Sequence, residues 1–158
     1  MISFQSAQRG DAELIDQLMH TAFQEYQKTS APSSAMEETA ASIAEAMDAG
    51  EQALIAIDGE QPVGMIRYIF RQNEVYFYRL SVIPGRQGQG IAKRLLKALE
   101  DIARSERVPV LVCRVRKNIA RNMHLYQSIG YRLVKEESVH KATGQNIPVV
   151  TMEKIIHR

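Results

Sequence analysis

The sequence predicts an α+β domain built on a mixed sheet, and three observations carry that prediction. Seven short runs have the apolar, β-branched or alternating character of strands, and four longer stretches carry apolar residues at helical spacing. The two kinds interleave as β-α-α-β-β-β-α-β-α-β-β. No repeat, low-complexity tract or interdomain linker interrupts them, so residues 1–158 read as a single domain, long enough to bury a core without staples.

The elements follow in order. "ISFQSA", from Ile2, alternates apolar and polar residues as a short strand does. From Asp11 to Gln27, Leu14/Ile15, Leu18/Met19, Ala22/Phe23 and Tyr26 mark one helix face, which "TSAPSS" breaks. Ser34 with Glu37 forms a capping box for a second helix, expected to run to Asp48 and stop at Gly50. "ALIAI" and "PVGMIRYIF" are strands around Asp58-Gly59, a hairpin signal, and "QNE" turns into a third strand, Val75 to Ile83. Ile91/Ala92, Leu95/Leu96, Leu99 and Ile102/Ala103 form the next helical face. "VPVLVCRVR" is the most strongly β-forming run, with Cys113 on the same face as Leu111 and Val115, the place of a buried structural thiol. A short helix over Ala120 to Ser128 ends at Gly130, and "YRLVKEESVH" and "IPVVTMEKII" flank the turn-like "KATGQN".

Composition excludes several classes of function. A net charge of +2 without interleaved basic and aromatic residues argues against a nucleic-acid module. No apolar run reaches the length of a membrane span and no secretory signal opens the sequence, so neither a membrane partner nor export is expected. One cysteine forms no internal disulfide, which suits a reducing, cytoplasmic setting. No metal-ligand set is assigned.

The chemistry concentrates in "SVIPGRQGQGIAKRLL", Ser81 to Leu96, where a strand passes through three glycines into a helix. Glycines there permit positive φ and remove the Cβ that keeps a ligand off the backbone, while the first helical turn has unpaired N–H groups that attract phosphate. Taken alone they also fit a tight turn. Gly85 and Gly90 have P-loop spacing, but Ile91-Ala92 follows where Lys-Ser/Thr is required. A dinucleotide fingerprint starting at Gly88 needs glycine where Lys93 stands.

A third pattern fits throughout. Val82-x-Pro84-x-x-Gln87-Gly88-Gln89-Gly90-Ile91-Ala92, followed by Leu95-Leu96, resembles the signature of the GNAT superfamily of N-acetyltransferases. Gln87, Gly90 and Ala92 meet its core, Gln/Arg-x-x-Gly-x-Gly/Ala. About thirty-five residues on, "LYQSIGY", Leu125 to Tyr131, is similar to the family's Leu-Tyr-x-x-x-Gly-Phe/Tyr segment, and the element order is also the family's. The resemblance implies a three-layer α/β/α sandwich whose central sheet is mixed and mostly antiparallel, with helices on both faces. It implies acetyl-CoA as donor and a primary amine as acceptor, with no metal.

On that resemblance, the CoA pyrophosphate sits on the N–H groups of Gln87, Gly88, Gln89, Gly90, Ile91 and Ala92, with Arg86, Lys93 and Arg94 nearby as solvated or steering cations. The pantetheine arm pairs with the strand edge at Leu80, Ser81 and Val82. Tyr126 stands where many members place the tyrosine that protonates the departing thiolate; the alternative is a packed helix tyrosine. A backbone N–H near Val82 is the natural oxyanion donor. Where members often place a CoA-contacting asparagine, seven residues before the tyrosine, Ile119 stands; Asn118, one residue earlier, either reaches the cofactor or caps the short helix. No residue is assigned as general base: Glu74 stands at the far start of its strand, His20 and Glu25 are as readily surface or core, and a base through ordered water or none beyond solvent fits equally; Tyr76, Tyr78, Arg79 and His140 could line the acceptor side.

The leading expectation is direct acetyl transfer in a ternary complex to a small-molecule amine. Glu25, Glu37, Glu38 and Glu45 either draw a cationic acceptor or are helix surface. A protein amine acceptor, or a non-catalytic acyl-CoA-binding module, remains an alternative. "IPVVTMEKII" is apolar enough to permit a homodimer, though a core strand is the simpler account.

Overall fold

The computed structural model describes residues 1–23, 37–117, 120–140, 142, 144 and 146–156, with the backbone only of Ala120 and Arg121. Its elements are β1 (Ile2–Ser6), a 3-10 turn (Arg9–Asp11), α1 (Ala12–Phe23), α2 (Ala40–Asp48), β2 (Gln52–Asp58), β3 (Gln61–Arg71), β4 (Glu74–Val82), α3 (Ile91–Ser105), β5 (Val110–Arg116), α4 (Ala120–Ser128), β6 (Arg132–His140) and β7 (Asn146–Ile155). The order is the expected one. The hydrogen-bonded strand order is β1-β2-β3-β4-β5-β7-β6. The pairs β1–β2, β2–β3, β5–β7 and β6–β7 are antiparallel, and β4–β5 is parallel because the chain returns to the sheet through α3.

Residues form two compact units, Met1–Ile69 with Phe77–Leu99, and Phe70–Tyr76 with Glu100–Arg158. In the first, Ile15, Leu18 and Met19 of α1 and Ile43 and Ala44 of α2 pack on Ala53, Ile55 and Met65 of β2 and β3. The neighbour of Met65, Gly64, faces the opposite side of the strand. A Cβ there would lie 3.3 Å from Leu95 Cδ1 and 3.5 Å from Ile91 Cγ2, so α3 covers that second face. Helices thus lie on both sides of β3.

The same imaginary Cβ would stand 2.7 Å from the Ser81 carbonyl oxygen of β4. Backbone cannot swing aside as a side-chain tip can. Gly64→Ala should therefore cost about 1–3 kcal/mol in urea unfolding by overpacking. An unchanged unfolding midpoint would show that β3 and β4 can separate without penalty.

One boundary differs from expectation. α2 starts at Ala40, with Thr39 as N-cap: Thr39 Oγ1 accepts the Ser42 N–H at 3.1 Å, and Ser42 Oγ accepts the Thr39 N–H at 3.0 Å. This reciprocal pair abuts the apolar face directly. Glu37 therefore precedes the helix instead of capping it, while its expected partner Ser34 lies outside the described residues, as do Gln24 to Gln27 at the expected end of α1.

In the second unit, β5 pairs with β7 from Val110↔Ile155 to Arg116↔Val149, and β4 joins through Glu74 to Tyr76 opposite Val110 to Val112. Leu111, Cys113 and Val115 are buried together as alternation predicts, and burial pushes the Cys113 thiol well above its ordinary range. The end of α4 explains the second motif. The Tyr131 N–H bonds the Tyr126 carbonyl at 3.0 Å and the Gly130 N–H bonds that of Gln127 at 3.2 Å, the paired bonds of a Schellman cap, with Gly130 at φ +101°. The cap folds Tyr131 back until its ring centroid lies 5.5 Å from that of Tyr126.

Candidate active site

In the first unit, β4 runs into a loop whose geometry follows from its residues. The Arg86 N–H bonds the Ile83 carbonyl at 3.1 Å across Pro84-Gly85, with Gly85 at φ +88°. Proline at the second and positive-φ glycine at the third position are the requirements of a type II turn. Gly88 and Gly90 follow at φ +80° and +81°, and a Cβ on any of the three would meet no described atom within 4 Å. The first i→i−4 bond of α3 runs from the Arg94 N–H to the Gly90 carbonyl at 3.1 Å. The N–H groups of Ile91, Ala92 and Lys93 therefore precede the helical ladder at its positive end. An open, bare backbone beside a helix N-terminus is a fit for an anionic group.

Side chains around this loop mostly hold it in place. Gln87 Nε2 donates to the Val82 carbonyl at 3.0 Å, closing the loop on β4. Arg86 pairs with Asp58 at 2.5 Å and reaches Gln89 Oε1 at 3.0 Å. The Arg86 guanidinium, followed by the terminal amine of Met1, holds the Asp58 carboxyl below its usual range. Arg94 donates to the Ile2 carbonyl at 3.3 Å and lies over the Phe4 ring. Of the three expected steering cations, Lys93 and Arg94 are exposed, and among the described residues Arg86 alone is in an ion pair. Ile91 is buried. On β4, Ser81 is buried with Oγ on the Arg79 carbonyl at 2.8 Å, while Leu80 and Val82 are half-buried.

Just before these residues lies a buried polar cluster. Arg67 of β3 is 1% exposed. Its Nε bonds Glu51 Oε2 at 2.7 Å, and its Nη1 reaches both Glu38 oxygens at 2.9 Å. Arg79 Nε bonds Glu38 Oε2 at 3.0 Å. The Tyr78 hydroxyl donates to Glu51 Oε1, and the Arg67 and Arg79 guanidiniums lie 4.8 and 5.4 Å from the centre of the Tyr78 ring. Arg79 sits at φ +56°, a left-handed break within β4. Burial, then the bond to Glu51, drives the Tyr78 phenol well above its ordinary range. Burial disfavours the charged form of Arg67, but Glu51 and Glu38 outweigh it and raise its pKa.

This cluster revises one expectation. Both Glu38 oxygens are engaged by arginine, so Glu38 is no trap for a cationic acceptor. Glu37 and Glu45 are exposed, and Glu25 lies outside the described residues. Glu51 and Arg67 were not singled out from the sequence. The only signal was a lone charge within the apolar strand "PVGMIRYIF".

In the second unit, Tyr126 of α4 is 6% exposed against Tyr131. Tyr76 is half-buried, with the Arg71 guanidinium 4.4 Å from its ring centre. His140 is exposed on β6 with Nδ1 2.9 Å from Asn146 Oδ1. His20 belongs to the first unit, its Nδ1 2.7 Å from Asp16 Oδ1 on α1. Asn118 lies outside the described residues. Among the described residues, no cluster of three or more His, Cys, Asp or Glu is disposed to hold a metal, and no helix is long and apolar enough to cross a membrane.

A mostly antiparallel seven-stranded sheet with four helices is the architecture of many solved acetyltransferases. The ribosomal-protein-S18-alanine N-acetyltransferase of Escherichia coli superposes with a TM-score of 0.76 at 18% identity, covering 100% of this chain and 96% of its own. The ribosomal-protein-alanine N-acetyltransferase of Brucella melitensis gives 0.78 at 21%, covering 98% and 99%. The yncA protein of Salmonella typhimurium, solved with its cofactor acetyl-CoA, gives 0.80 at 19%, covering 100% and 95%. No curated protein matches at the sequence level. The pattern of the Acetyltransferase (GNAT) family matches residues 13–131, three quarters of the chain, and the chain belongs to that family.

Proposed function

We propose that the chain transfers the acetyl group of acetyl-CoA to a primary amine carried by a small molecule. The observation that carries this reading is the open glycine loop at the mouth of α3 in a chain of this family. Peptide groups of Gln87, Gly88, Gln89, Gly90, Ile91 and Ala92 hold the pyrophosphate, with Lys93 as the nearby cation. The extended backbone of Leu80, Ser81 and Val82 binds the amides of the pantetheine arm.

Acetyl-CoA supplies the acetyl group as a thioester. A peptide N–H near Val82 donates to the oxygen on which charge develops. As the new C–N bond forms and the C–S bond breaks, Tyr126 gives its hydroxyl proton to the departing sulfur, and the proton the nitrogen loses passes through water and restores the phenol.

The test is a free-thiol assay with acetyl-CoA against small amines and short peptides, run beside calorimetric binding of acetyl-CoA. Thiol release with small amines supports the reading. Release with peptides only replaces the small molecule by a protein amine. Binding of acetyl-CoA without release on any acceptor makes the chain a binding module.

A further inference from the structure

Arg67, Glu51, Glu38, Arg79 and Tyr78 have no part in the mechanism above, yet they form a buried ionic cluster in the first unit. A buried ion pair is weak support for stability, since apolar residues of like volume do as well or better. Its position suggests another use. With the pyrophosphate on the glycine loop, the pantetheine arm runs back along β4 past Val82, Ser81 and Leu80. Those three steps cover about 10 Å at ~3.3 Å per residue. The thioester end then comes level with Arg79 and Tyr78, where β4 breaks from regular geometry.

Two features of the cluster define what it accepts there. The Tyr78 hydroxyl donates its proton to Glu51, which Arg67 holds from the other oxygen. A phenolic oxygen that has given its proton takes further bonds only as an acceptor. Within the cluster two guanidiniums offset two carboxylates, so its own described residues carry no net charge to favour an ammonium over the neutral amine that attacks. From this we propose that the Tyr78 hydroxyl oxygen receives an N–H of the acceptor amine, leaving the nitrogen lone pair for the acetyl carbon, and that Glu51 is the positioning residue that fixes the hydroxyl. The inference rests on the acetyltransferase reading and names the group that orients its acceptor.

The experiment uses the full chain and an amine that the wild type acetylates. Tyr78→Phe should raise the KM for that amine about ten- to a hundredfold, the loss of a hydrogen bond at a charged or reacting partner. The KM for acetyl-CoA should stay within twofold, and calorimetric acetyl-CoA binding checks that the variant is folded. Glu51→Gln, whose amide oxygen still accepts the Tyr78 proton, should keep the amine KM nearer to wild type than Glu51→Leu does. An amine KM within twofold of wild type in folded Tyr78→Phe overturns the proposal and leaves the acetyltransferase reading intact. If Tyr78→Phe does not fold, equal amine KM values in Glu51→Gln and Glu51→Leu overturn it. A wild type that binds acetyl-CoA but acetylates no amine overturns both.

Discussion

Replacing Tyr126 by phenylalanine should lower kcat by about two to four orders of magnitude, the usual contribution of a placed general acid. Acetyl-CoA affinity should stay within twofold, because the substitution removes one oxygen and keeps the ring that packs on Tyr131 at 5.5 Å. The Schellman cap bonds run through main-chain groups of Tyr126, Gln127, Gly130 and Tyr131, so they persist in the variant. A phenol donates well to a departing thiolate because the two ordinary pKa values, near 10 and 8.5, are close. Single-turnover thiol release with bound acetyl-CoA separates this effect from binding. A kcat equal to that of the wild type would remove Tyr126 from the chemistry and leave it a packing residue.

The largest loss of stability is expected at Arg67. Arg67→Ala strips the guanidinium from Glu51, 8% exposed, and halves the cationic partners of Glu38. Breaking a buried pair from one side costs about 3–5 kcal/mol, because the remaining charge loses its counter-ion where water does not replace it; only the Tyr78 hydroxyl stays on Glu51. Urea unfolding should show a midpoint lowered accordingly. The double variant Arg67→Met, Glu51→Leu should recover part of that loss, since both buried charges leave together and apolar volume replaces them. A loss below about 1 kcal/mol for Arg67→Ala would mean that water reaches Glu51 in the variant.

The order of elements was legible because each carries its own period and punctuation. The Leu14-to-Phe23 face, the Asp58-Gly59 hairpin and the Gly130 stop are local signals, written within a few residues of where they act. The glycine loop was legible for the same reason: Pro84-Gly85 encodes its turn, and Gly88 and Gly90 its bare approach to α3. The buried cluster was not. Glu51 meets Arg67 across 16 residues, Tyr78 across 27, and Glu38 meets Arg79 across 41. No periodicity spans such separations: Arg67 lies on β3 and Tyr78 and Arg79 on β4, while Glu38 and Glu51 flank α2, and only the tertiary fold brings these side chains together. The start of α2 was misplaced for a smaller reason, since Thr39-Ser42 and Ser34-Glu37 both present a capping pair three residues apart, and the first lies closer to the apolar face. Whether Arg86 and Arg94 were steering cations depended equally on distant partners, Asp58 and β1.

Those two commitments change the character of the field at the loop. Asp58 neutralises Arg86, while Lys93 and Arg94 stay charged and exposed beside a row of peptide dipoles. A dipole's pull fades with distance faster than a charge's. On the proposed reading, the two cations draw a phosphate from afar and the dipoles act as a seat, gripping it once it has arrived.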